Sequence, residues 1–241
     1  RPYKPNYDLK SKKKSIVDGR ILLQDFINFV QTYPSASMLA EQFDVEGFIK
    51  AQAAEVAIGA VDHYVRVANN YYLYFNPLTE KWIYMVNDFD FVFRNNHPIT
   101  WGNEGWSAAF RDIAGTYAFP ENGKVDWASR ELGNVNPILW NIVFAEQVNK
   151  DLLYKEIKLI LNNHMDWENL RSVLSARNAL VERAINETEA GLPDGCELVY
   201  NPAAIDASAG TSLCDYNDVS IKRFIELRKA ALQAELTNNG F

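Results

Sequence analysis

The chain has 241 residues, 48% hydrophobic, 13% aromatic and 23% charged, with a net charge of −7. This composition excludes a disordered polymer, a collagen-like chain and a disulfide-dense miniprotein, and it can fill one sizeable core. An acidic chain is a poor partner for phosphate backbones, so no nucleic acid is expected, and no apolar run reaches the roughly 18–20 residues of a membrane span.

In chain order, residues 1–16 are polar and read as a lead-in strand or linker. Lys10, Lys12, Lys13 and Lys14 read as a solvated loop, with a nuclear signal or an anionic-surface contact as the alternative. Arg1 stands where a natural start has Met, so an excised domain or mature fragment is expected. Residues 17–32 place Ile21, Leu22, Phe26, Ile27, Phe29 and Val30 at helical spacing, and Pro34 ends that helix. Asp44 reads as an N-cap, followed by the stripe Val45, Phe48, Ile49, Ala53, Val56 and Ala57 to about Ala60. Residues 61–69 read as a loop. Residues 70–75 and 81–86 are aromatic runs around a turn at 76–80, which predicts an antiparallel hairpin.

Residues 95–130, rich in Trp, Gly and Asn, read as irregular and as a possible substrate-facing or partner-facing loop. Asn136 and Pro137 predict a helix start running to about Val148, Asp151 a second helix, and Asp166 a third reaching about Ile185. Trp127, Trp140 and Trp167 fall in or beside these helices and read as core. A last helix is expected from about Asn217 to Leu236. The expected fold class is α+β, mostly helical, with one small hairpin. One domain is expected over 1–241, with a Cys-bracketed loop at 187–216 and a terminal helix within 217–241. Cys196 and Cys214 admit a disulfide in an oxidising compartment or free thiols in a reducing one. The sequon Asn186-Glu187-Thr188 adds weight to the oxidising compartment.

Many familiar sites are absent: there is no dinucleotide or phosphate-binding glycine loop and no Gly-x-Ser-x-Gly elbow. His63, His97 and His164 are not paired at metal spacing, and Asp166 beside His164 is better read as a cap. The informative residues surround the hairpin. Asp62 follows the helix, Asn69 and Asn70 precede the first strand, and Asn87-Asp88-Phe89-Asp90 follow the second. Closing the hairpin makes Asn70 and Asp88 neighbours. An extended Asp88–Asp90 segment would point both carboxylates to one side. Carboxylates with an amide oxygen suit Mg²⁺ or Mn²⁺, hard cations that keep positions open for phosphate. An acidic residue, an Asn, a short hairpin and a metal-binding Asp, in that order, is the arrangement of a kinase phosphoryl-transfer site. The competing reading is a polar hairpin end where Asp and Asn cap turns.

The run Asp44 to Lys50, the helix to Gly59, Asp62, Asn69-Asn70-Tyr71-Tyr72-Leu73-Tyr74-Phe75-Asn76-Pro77, Lys81-Trp82 and Asn87-Asp88-Phe89-Asp90 together resemble the CotH family of spore-coat protein kinases. The resemblance spans roughly residues 1–185. Where the family has Trp before its first acid this chain has Asn87, and Phe91 to Arg94 follow without the family's Gly. It implies a kinase-like C-terminal lobe, with the nucleotide-clamping N-terminal lobe expected to lie upstream of this chain. It also implies ATP with Mg²⁺ or Mn²⁺ as cofactors and Ser/Thr phosphoryl transfer to secreted, surface or coat proteins. In that reading Asp62 orients the acceptor hydroxyl or helps hold metal, Asn70 (with Asn69 as substitute) and Asp88 hold the metal–ATP, and Asp90 is a further ligand or orients the others. A fungal surface branch of the family implies a host-cell receptor as partner. The alternative function is a non-catalytic adhesin, invasin or coat module on the same fold, recognising partners through 95–130.

Overall fold

The computed structural model describes residues 10, 16–60, 63–67, 69–89, 92, 137–173, 176 and 221–241. Expectations about the 95–130 region, Cys196, Cys214 and Asn186 lie outside the described residues. The described elements are α1 (Ile16–Gln31), α2 (Ala36–Gln42), α3 (Val45–Ile58), α4 (Tyr64–Val67), β1 (Tyr71–Asn76), β2 (Lys81–Val86), α5 (Ile138–Val143), α6 (Gln147–Asn163) and α7 (Ile221–Asn238), and residues 167–173 are also helical. The described chain is mostly helical with one two-stranded antiparallel sheet, as the sequence predicts. None of its described helices is long and apolar enough to cross a membrane.

Helix α3 is the centre of the packing. It lies against α6, β2, α7 and α2. Its start is defined by Asp44, whose Oδ1 accepts the Gly47 N–H at 3.0 Å. Its end is defined by Gly59 in the left-handed region (φ 67°), whose N–H reaches back to the Glu55 and Val56 carbonyls. Between these caps Phe48, Ile49, Ala53, Val56 and Ala57 are buried. Phe48 meets Tyr84 of β2 edge-on, ring centroids 5.2 Å apart, and Leu153 and Ile157 of α6 join the same core.

Helix α1 lies over this core only at its C-terminal end. Phe26 and Val30 are buried, whereas Ile21 and Leu22, expected on the same inward face, are exposed. Phe26 reaches Phe43 and Trp82, with centroids at 6.0 and 5.4 Å, which draws the later turns inward. Helix α2 has no long apolar stripe and was not expected. Ser35 caps it by accepting the Met38 N–H at 3.2 Å, and the side chain of Glu146 accepts the Ala36 N–H at 3.1 Å.

The predicted helix from Pro137 to about Val148 is two helices. Phe144 closes α5, Asn149 Nδ2 donates to the Val143 carbonyl at 2.8 Å, and α6 starts at Gln147, so Asp151 lies inside α6 and does not open it. Trp140 is fully buried and packs on Phe144, centroids 4.3 Å apart, and Trp167 packs partly buried against the core. Asp166 does cap the helical residues 167–173, accepting the Asn169 N–H at 3.2 Å. The expected loop at 61–69 contains the short α4. Tyr64 in α4 accepts the Leu139 N–H at 2.9 Å, tying the segment before the hairpin to the start of α5.

Candidate functional site

The hairpin pairs Tyr71 with Val86 through Asn76 with Lys81. Alternation sends Trp82 and Tyr84 into the core and leaves Tyr72, Tyr74 and Met85 exposed. Tyr71 and Tyr84 stack with centroids 5.5 Å apart, and Tyr64 meets both edge-on, so the inner face of the hairpin is clamped by aromatic contacts.

At the open end one further bond continues the ladder: the Asn87 N–H donates to the Asn70 carbonyl at 3.0 Å. The expectation that Asn70 lies beside the Asp88 segment therefore holds in the backbone geometry. Both residues then turn into the left-handed region, Asn70 at φ 55° and Asp88 at φ 60°. Asn and Asp tolerate that region better than other residues with a side chain. Asp88 is consequently not extended, which corrects the expectation of an extended Asp88–Asp90 segment. The Asp88 carbonyl is met from beneath: His63 Nε2 lies 2.7 Å from its oxygen. A carbonyl oxygen only accepts, so Nε2 is the donor.

His63 is 2% exposed and sits between two anchors. Its Nδ1 is 3.3 Å from Glu55 Oε1 in the last turn of α3. The buried Glu55 carboxylate also accepts from Tyr84 Oη at 2.8 Å and from Gln52 Nε2 at 3.1 Å. Burying a carboxylate is expensive unless donors surround it, and here hydrogen bonds come from its own helix through Gln52 and from β2 through Tyr84, with His63 Nδ1 in close contact with it but not hydrogen-bonded to it. The ring of Phe89 lies 5.3 Å from the His63 ring, so His63 touches the chain on both sides of the Asp88–Phe89 peptide.

Of the expected site residues, Asn70 is half-buried, while Asn69 and Asp88 are exposed at the hairpin mouth. Asp62 and Asp90 lie outside the described residues. Among the described residues no group of three or more His, Cys, Asp and Glu side chains forms a metal cluster. The donors that are placed, an exposed carboxylate and a neighbouring amide, are oxygen ligands of the type Mg²⁺ and Mn²⁺ take, so the donor chemistry fits such an ion. Sequence reasoning missed His63 and Glu55. A histidine directly after Asp62 was visible, but its partners lie 8 residues before it and 25 after it.

No curated protein and no solved structure matches the chain. A family model described as CotH kinase protein matches residues 2–232, nearly the whole chain. With that match and a mostly helical fold carrying one antiparallel hairpin, the chain belongs to the CotH kinase protein family.

Proposed function

We propose that this chain is the catalytic part of an ATP-dependent protein kinase that phosphorylates Ser or Thr on secreted, surface or coat proteins. The observation that carries the reading is the hairpin mouth, where the Asn70 carbonyl accepts the N–H of Asn87, the residue before Asp88, and the Asp88 backbone is held from below by His63. Membership of the CotH family supports a kinase-like domain, and with it ATP and a divalent cation.

In this reading the Asp88 carboxylate and the Asn70 amide oxygen hold Mg²⁺ or Mn²⁺, with Asn69 as the substitute for Asn70 and Asp90 as a further oxygen donor. A cation held by these residues would supply charge neutralisation for the phosphate oxygens. Asp62 orients the acceptor hydroxyl and takes its proton. The bond between the γ-phosphorus and the ADP oxygen breaks, and a bond to the acceptor oxygen forms.

The test is calorimetric titration of ATP with Mg²⁺ or Mn²⁺ into the full-length protein and its Asp88→Asn variant. Metal-dependent binding that weakens at least about tenfold in the variant is expected, since one charged ligand is lost. Equal binding by both proteins overturns the assignment of Asp88. Absence of binding in the folded wild-type protein favours the non-catalytic surface or coat module.

A further inference from the structure

We infer that His63, braced by Glu55 and Tyr84, is the positioning residue for the metal-binding carboxylate of Asp88. The inference rests on the proposed function and assigns to that site a residue outside its expected ligand set.

The ladder ends at the hairpin mouth, where the Asn87 N–H donates to the Asn70 carbonyl. One residue later the backbone enters the left-handed region at Asp88, and His63 Nε2 holds the carbonyl of that residue at 2.7 Å. His63 reaches the backbone of Asp88, whose side chain is left toward solvent. It therefore cannot substitute for the carboxylate as a ligand; it fixes the direction in which the carboxylate leaves the chain.

The donor is itself fixed. His63 Nδ1 faces Glu55 Oε1 at 3.3 Å, and Glu55 is held by Tyr84 and Gln52. Tyr84 lies on β2, the strand that leads into Asp88. A closed circuit of contacts results: β2 to Asp88, Asp88 to His63 by a hydrogen bond, His63 to Glu55 by close approach without one, and Glu55 through the Tyr84 hydroxyl back to β2. Every side chain in it is buried, with exposures of 2% for His63, 1% for Glu55 and 5% for Tyr84. A buried circuit that ends on the backbone of the one residue carrying an exposed carboxylate is more than a hairpin needs for stability, because the aromatic face already clamps the strands. Residues that orient metal ligands in this way typically change metal affinity or activity by about 10–100-fold when removed.

The experiment uses the full-length protein and Mn²⁺, whose free concentration is read by electron paramagnetic resonance, alongside steady-state kinetics with ATP. His63→Phe keeps a ring against Phe89 and removes the donor. His63→Gln places an amide donor near the position of Nε2. Expected for His63→Phe are Mn²⁺ binding weakened about tenfold and a lower kcat with an unchanged KM for the acceptor protein. His63→Gln is expected to restore Mn²⁺ affinity to within about threefold of wild type. A purely structural histidine would lower Tm in His63→Phe and leave the Mn²⁺ affinity of the folded protein unchanged, which overturns the inference. If His63→Phe does not fold, Tyr84→Phe carries the test. Mn²⁺ binding weakened about threefold supports the inference, and wild-type affinity overturns it. Asp88→Asn separates the two readings. If it abolishes Mn²⁺ binding while His63→Phe binds normally, the kinase site stands and the positioning role falls. If Asp88→Asn binds Mn²⁺ as wild type does, the site assignment itself falls.

Discussion

Asp88 combines an exposed carboxylate with a backbone at φ 60°, and the two properties call for different substitutions to separate them. Alanine removes the carboxylate and also places an ill-suited residue in the left-handed region, at roughly 1–2 kcal/mol. Glycine removes the carboxylate without that strain, and asparagine keeps a side chain that tolerates it. Urea unfolding should therefore find Asp88→Gly more stable than Asp88→Ala by about 1 kcal/mol, with Asp88→Asn close to wild type. All three should weaken metal-dependent ATP binding at least about tenfold. Equal stability of the Gly and Ala variants would show that the backbone at 88 is not left-handed. The pairing of Asn70 with the Asp88 segment could be read from the sequence, because a hairpin of known length joins its own ends. The bond that holds the Asp88 carbonyl could not: His63 lies 25 residues earlier, and no local pattern encodes that contact.

Helix α3 shows what local chemistry does encode. Asp44, the apolar stripe behind it and Gly59 mark start, buried face and end, and each is found where the residue types place it. Gly47 adds a detail that only coordinates supply: a Cβ there would collide with the Asp44 carboxylate. In an ordinary helix position Gly→Ala stabilises by about 1 kcal/mol. Here it should be neutral or destabilising, because displacing the Asp44 cap costs about as much. In an Asp44→Ala background the obstruction is gone, so the same Gly47→Ala change should stabilise by about 1 kcal/mol. A double-mutant cycle followed by thermal unfolding measures the difference, and additivity within about 0.3 kcal/mol would refute the clash. The elements that sequence reading missed are those without local signals of this strength. α2 has 7 residues, and its N-terminal N–H groups are met partly by Glu146, more than 100 positions away. The break between α5 and α6 is made by the close of α5 at Phe144 and by Asn149 bonding back to Val143, while the apolar spacing runs on through it.

At the scale of the whole molecule, the C-terminal helix is tied to the site through one residue. Arg228 of α7 is fully buried, and its Nε donates to the Val56 carbonyl at 2.9 Å, with a second guanidinium nitrogen on the same oxygen. Val56 lies in the last turn of α3, one residue after Glu55, so a cation sits where the end of the helix carries partial negative charge. The same turn carries the Glu55–His63 contact, so α7 braces the platform on which Asp88 is held. Removing this side chain leaves a large cavity and takes the charged donors from the Val56 carbonyl, which keeps the longer bond from the Gly59 N–H at 3.3 Å. Arg228→Ala is expected to destabilise by about 3 kcal/mol, or roughly 6–12 °C in Tm for a chain of this size. Arg228→Met fills much of the volume and loses only the charge-assisted bonds, so it should lose about half as much. Hydrogen exchange then shows where the effect travels. Both variants should speed exchange in the last turn of α3 and at the Asp88–Phe89 segment, while leaving the first turn of α3, capped independently by Asp44, protected as in wild type. Faster exchange confined to α7, with Asp88 and Phe89 unchanged, would show that the C-terminal helix packs on the core without supporting the site.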